Sequence, residues 1–356
     1  MSELTEELAT GAQETPFRPA RLRSLAHHRA EENVLPIEGR LGSFDRARGW
    51  LNTEPLNREA LRGRVVLVDF WTYTCVNWLR TLPYLRAWHA KYADAGLTIV
   101  GVHTPEFPFE RELPNVTDRT RALGIDYPVA IDDHYGVWED FANHYWPAVY
   151  LADADGRLRF HHFGEGDYAM TEMAIQHLLL EAGATGLDLD LVTVEPEGLE
   201  VAAAWTSLGS PETYLGSVRS SGFVSDDVAA YDRAHHYHTP ERLVRNTWAL
   251  SGDWTVTRDA AVLNAPDGAI SFAFHARDVN LIIGPTTPGQ SVRFRVTLDG
   301  RPVGEAHGTD VDADGRGTVA RQDTLQLIRQ PGRIEDHTVR VEFVSGGLAA
   351  FCFTFG

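Results

Sequence analysis

Apolar positions change rhythm twice along this chain. Residues 1–35 are polar, carry Pro16 and Pro19 and show no periodicity, which predicts a flexible N-terminal arm. From 36 to 183, short apolar runs alternate with segments of helical spacing. Residues 35–62 form a glycine-punctuated lead-in with Gly39, Gly42 and Gly49. VVLVDF at 65–70 is continuous and β-branched, which predicts a buried strand. Over 79–95, Leu79, Leu82, Leu85 and Trp88 recur at helical spacing, with a kink expected at Pro83 and a stop at Gly96. LTIVGVH at 97–103 predicts the next strand, and 109–124 a charged helix interrupted by Pro114. A short strand at 127–131, a helical turn at 135–141, a hairpin over 148–152 and 157–163 around DADG, and a closing helix at 170–182 follow. This alternation predicts an α/β domain on a central mixed sheet over 36–183.

Residues 184–200, with Gly, Pro and acidic residues, read as a linker. From 201 to 356 helical spacing fades. WTVTRD, AVLNA, ISFAFHA, VNLIIG, VRFRVTLDG, HTVRVEFVS and LAAFCFTFG are separated by Gly, Pro and Asp, which predicts an all-β sandwich of jelly-roll type. Trp248 and Trp254 read as its core.

The 356 residues are 43% hydrophobic and 23% charged, ordinary for a soluble globular protein of two domains. Net charge is −18 without a basic tract, which argues against nucleic acid and membrane as partners. No apolar run reaches membrane-spanning length and the acidic N-terminus has no apolar stretch, so no signal peptide is expected and the cytoplasm is the expected location. No cofactor and no metal is expected. Asp310, Asp312, Asp314 and Gly315 read as a turn, because Arg321 stands where a calcium loop closes with Glu. His235, His236 and His238 read as a solvated loop. Neither the oligomeric state nor the physiological substrate has a signature in the sequence.

Cys75 is the candidate for chemistry. It falls between a buried strand and a helix, where free N–H groups and the helix dipole stabilise a thiolate. Such placement predicts a thiol pKa lowered to ~3.5–7.5. The other cysteine, Cys352, lies far along the chain, so both are expected to be free thiols. In AAFCFTF, Cys352 reads as a core residue.

The pattern D-F-W-x-x-x-C at a strand end resembles the thioredoxin superfamily. The string WTYTCVNWLRTLPYLRAW, with IVGVHTPEF, ANHYWPA and HHFGEGDY, resembles its redoxin branch, TlpA-like and AhpC/TSA-like. Within that branch it resembles the soluble part of DipZ-type thiol:disulfide interchange proteins. SPETYLG, LSGDWTV, FHARDVNLIIGP and LIRQPG resemble the carbohydrate-binding-module-like β domain appended in those proteins. Together these strings cover about 35–356 and imply a thioredoxin fold followed by a β sandwich.

The resemblance implies Cys75 as the attacking thiol and Asp69 as the buried carboxylate that serves the second cysteine. It implies Pro147 as a cis proline that faces Cys75, with its neighbour's backbone able to pair with an extended substrate. The motif departs from the family at its close, Cys75-Val76-Asn77-Trp78, where a tryptophan replaces the resolving cysteine. Thr72 resembles the Thr or Ser of peroxiredoxins, although Val68 stands where those carry Pro. Glu106 and Arg80 read as surface charges.

These features predict a thiol-dependent oxidoreductase acting through Cys75 alone. A mixed disulfide or sulfenate would be resolved by an external thiol, protein or low-molecular-weight. The alternative is a redox-inactive scaffold in which Tyr73, Trp78 and Trp146 line an aromatic groove and the β domain binds a partner. What separates the two is whether Cys75 is open, with a depressed pKa, or capped by Trp78.

Overall fold

Two short strands, β1 (Gly39–Arg40) and β2 (Gly49–Leu51), lead into β3 (Val65–Trp71), whose seven residues are all buried. This computed structural model describes residues 35–225 and 230–356, so the expected arm lies outside the described residues apart from Leu35. β3 is apolar throughout because it is central: β4 (Leu97–His103) flanks it in parallel, and β6 (Ala148–Ala152) antiparallel. With β5 (Val129–Ile131) and β7 (Arg157–Phe163), the sheet runs β1-β7-β6-β3-β4-β5-β2.

Among the described residues four helices accompany this sheet: α1 (Val76–Tyr92), α2 (Leu113–Ala122), α3 (Gly136–Asp140) and α4 (Tyr168–Glu181). α1 buries Leu79, Leu82, Leu85 and Trp88, the helical-spacing set, together with Trp78 and Tyr92, each worth ~1.5–3 kcal/mol of apolar burial. Gly96 ends the turn after α1 at φ +114°, a region that favours glycine. Pro114, expected to interrupt a helix, lies in the first turn of α2, where its missing N–H costs nothing. α4 packs on α1 through Glu172, whose buried carboxylate accepts from Tyr92 OH at 2.6 Å and Trp88 Nε1 at 3.2 Å. The same carboxylate accepts the Val192 N–H at 3.0 Å, which ties the segment after α4 to the domain.

The rest is β-rich. β8 (Thr213–Tyr214), β9 (Ala234–Tyr237), β10 (Thr247–Val256), β11 (Ala261–Leu263), β12 (Ala269–His275) and β13 (Asp278–Pro285) come first. β14 (Val292–Leu298), β15 (Arg301–Pro302), β16 (Arg316–Val319), β17 (Asp323–Arg329), β18 (Asp336–Phe343) and β19 (Leu348–Phe355) complete it. Every pairing among them is antiparallel. β10 pairs with β12 through its first half and with β9 and β11 through its second, so it links two groups of strands. One apolar core, including Trp248, Trp254, Phe272, Leu281 and Phe353, draws on both groups. The mixed α/β thioredoxin fold is thus followed by a β-rich domain, and both lie in one compact unit, Glu38–Gly356. Among the described residues, no helix is long and apolar enough to cross a membrane.

Candidate thiol site

Cys75 is the N-cap of α1, at φ −70° and ψ 109°. Its N–H donates to the Thr72 carbonyl at 3.2 Å, and its carbonyl accepts the Leu79 N–H at 2.9 Å. The residue is half-exposed, and its Sγ lies 3.9 Å from the Trp146 carbonyl oxygen. The Trp146–Pro147 peptide is cis. Trp146 is itself half-exposed, and its indole N–H donates to the Thr104 carbonyl at 3.1 Å.

The expected low pKa is corrected. Burial of the sulfur pushes the Cys75 thiol well above its ordinary value, and the Glu106 carboxylate adds to the rise. The N–H groups of Trp78 and Asn77 pull it down, but desolvation outweighs them.

Trp78 turns inward. Its indole is fully buried, stacks on Trp71 with centroids 4.2 Å apart, and donates to Asp69 Oδ2 at 2.8 Å. Among the described residues, Asp69 Oδ1 has no partner. Burial raises Asp69 to about 7, with the Trp78 hydrogen bond working against the rise. Trp78 therefore closes Asp69, not Cys75. Tyr73 is 1% exposed and Pro147 and Thr72 are buried as well, so Trp146 alone of the expected aromatic groove meets solvent. Thr72 likewise has no exposed hydroxyl to offer a ligand.

Several residues that sequence reading undervalued frame Cys75. The Glu110 carboxylate, 1% exposed, accepts from Thr74 Oγ1 at 2.6 Å, Thr74 N–H at 3.3 Å, Glu106 N–H at 2.7 Å and Phe107 N–H at 2.9 Å. Burial raises it to about 7 despite those donors. Glu110 thus pins the loop after β4 to the Cys75 turn. Glu106 is not a free surface charge: Tyr214 OH donates to it at 2.6 Å and Arg219 at 2.8 Å. Tyr214 OH also donates at 2.8 Å to Glu212, whose carboxyl is raised by desolvation and then by Glu106. Arg80 is buried too, paired with Glu165 at 2.8 Å and donating to the Phe355 carbonyl at 3.1 Å. Glu106 and Arg80 carried no sequence signal beyond their nearness to the motif, because their partners are tens to hundreds of residues away.

Residues 47–161 match the AhpC/TSA family, and residues 210–356 match the thioredoxin like C-terminal domain. Protein DipZ of Mycobacterium bovis is 36% identical over 313 residues, covering 86% of this chain and 41% of that protein. The chain therefore spans about two fifths of the length of that curated relative. Thiol-disulfide oxidoreductase YkuV of Bacillus subtilis is 26% identical over 38% of this chain and 90% of its own length. A solved thioredoxin-like protein in the oxidized form is 28% identical, covering 40% of this chain and 97% of its own, with a TM-score of 0.37.

Proposed function

We propose that this chain, a thioredoxin-like redoxin of AhpC/TSA type joined to a thioredoxin-like C-terminal β domain, is a thiol–disulfide oxidoreductase that attacks through Cys75. One observation carries the reading: a half-buried cysteine at a helix N-cap, its sulfur 3.9 Å from the carbonyl of Trp146 in a half-buried loop. That carbonyl belongs to backbone against which an extended substrate can lie while its disulfide meets the sulfur.

The chemistry is thiol–disulfide exchange. The Cys75 thiolate attacks one sulfur of a disulfide, a new S–S bond forms, and the other sulfur leaves as a thiolate. The raised thiol pKa makes attack faster at higher pH. Trp78 cannot release the mixed disulfide, and its bond to Asp69 withdraws the carboxylate that would serve a thiol at position 78. Release falls to a second thiol. Exchange with disulfides suits the site better than peroxide reduction, because the Thr72 hydroxyl is buried. The partners of this reading are protein or low-molecular-weight thiols and disulfides.

The test compares wild type with Cys75→Ser in the reduction of a small aromatic disulfide across pH. Loss of exchange in the variant, and a wild-type rate that climbs with pH, support the reading. Equal rates would leave the thioredoxin fold as a binding scaffold.

A further inference from the structure

Sulfur is scarce here, with two cysteines in 356 residues, and the second is fully buried, as its sequence implied, but lies on the sheet face away from the main apolar cluster of the β domain. Thr324, Ile282, Cys352 and Tyr214 stand directly opposite one another across β17, β13, β19 and β8. Residues opposed in an antiparallel ladder point to the same face. Two members of the row identify that face. Thr324 Oγ1 donates to the Thr74 carbonyl at 2.7 Å, and Tyr214 OH donates to Glu106 at 2.6 Å. The next row, Leu325, Leu281 and Phe353, belongs to the apolar core, so it points the other way.

A bulge explains the placement. Ile283 pairs with Ala350 and Ile282 with Cys352, leaving Phe351 as the extra residue. Phe351 packs against Phe109 and Phe107, with centroids 4.8 and 5.4 Å apart, on the same side as Cys352. Strands lie ~4.8 Å apart, so the Cys352 backbone is ~10 Å along the sheet from Thr324. Thr324 in turn touches the residue before Cys75. Both thiols also feel the same two carboxylates, Glu106 and Glu212.

We propose that Cys352 is the resolving thiol for Cys75, supplied by the β domain in place of the residue that Trp78 replaces. This rests on the reading of Cys75 as the attacking thiol. In the first exchange Cys75 forms Cys75–S–S–R and releases R′–S⁻ from R–S–S–R′. Cys352 then attacks the Cys75 sulfur. The bond to R breaks, R–S⁻ leaves, and Cys75–S–S–Cys352 forms. The two protons given up by the protein thiols pass to the two leaving thiolates. Two electrons move from the protein to the substrate disulfide. Among the described residues both cysteines are free thiols. A disulfide needs Cα atoms within ~7 Å, so bridging brings the Cys75 turn and the sheet face together.

The experiment treats the native full chain with 5,5′-dithiobis(2-nitrobenzoate), counts the released thionitrobenzoate and maps the peptides without reduction. Wild type is expected to release two equivalents, the second more slowly, and to end with a Cys75–Cys352 linked peptide and no adduct. Cys352→Ala is expected to lose the second release and keep its adduct on Cys75. A lasting adduct on wild-type Cys75 with Cys352 still a thiol overturns the proposal and leaves resolution to an outside thiol. Adducts on both cysteines with no link overturn it as well. No release from Cys75 at all overturns the underlying reading of the site, and this inference with it. Mapping the wild type decides the matter even if Cys352→Ala fails to fold.

Discussion

At the scale of single residues, Trp78 decides more than Cys75 does. It fills the position of the missing cysteine, stacks on Trp71 and supplies the hydrogen bond that Asp69 retains, while Asp69 Oδ1 goes without a partner among the described residues. A carboxyl so buried is held at about 7 against an ordinary 3.8, chiefly by desolvation. The folded state therefore prefers the protonated acid. The stability this confers is complete below about pH 4 and is lost as pH rises through about 7, at about 1.4 kcal/mol per unit of separation. Asp69→Asn keeps an oxygen for Trp78 and cannot ionise. The variant is expected to gain on wild type as pH rises, by about 2–3 kcal/mol between pH 5 and pH 8. Thermal melts at the two pH values read this directly. A melting difference that is the same at both would mean that folding does not raise the Asp69 pKa.

Among the elements, the turn between β3 and α1 has no cap of its own, since Cys75 makes no side-chain cap bond, and it relies on Glu110. Glu110→Ala would orphan the N–H groups of Thr74, Glu106 and Phe107 in a buried loop. Each orphan costs ~1–3 kcal/mol, so a loss of about 3–5 kcal/mol is expected in urea unfolding. Cys75 alkylation should rise in parallel. Glu110→Gln keeps an acceptor and should lose less than half as much. Equal losses would show that the charge, not the pinning, matters. This element also marks what the sequence made legible. β3, β4, α1 and the β6–β7 hairpin were readable because β-branched runs and helical spacing are local signals. Glu110 was not, because its worth lies in donors up to 36 residues away. Tyr214 was not either, since it reaches Glu106 across 108 residues. Cys352 is buried as its apolar strand implied, but the face it takes was not legible. Leu348 and Ala350 face the core, so strict alternation places Cys352 there too, and the bulge at Phe351 reverses the phase. The inward turn of Trp78 had no sequence signal at all, because composition does not fix a rotamer.

In the whole molecule, the β domain is built into the thiol site. Its strands reach the Cys75 turn through Thr324, α1 through the Phe355 carbonyl and Arg80, and the loop after β4 through Tyr214 and Arg219. The ion pair of Arg119 with Asp323, at 3.2 Å, adds a further tie from α2. Phe351 is the apolar centre of this junction, packed on Phe107 and Phe109 and 5% exposed. The polar ties around it are strong only while that centre excludes water. Removing the ring should therefore weaken all of them together. Phe351→Ala is expected to cost about 3–5 kcal/mol, the usual range for a buried phenylalanine. If the two sheets melt as one unit, wild type will give a single calorimetric transition and Phe351→Ala will lower it or split it in two. The split, if it comes, should be accompanied by faster alkylation of Cys75, because the same junction covers the turn that carries it. Two separate transitions already present in wild type would mean that the β domain rests on the thioredoxin fold without stabilising it, and Cys75 reactivity should then be indifferent to Phe351.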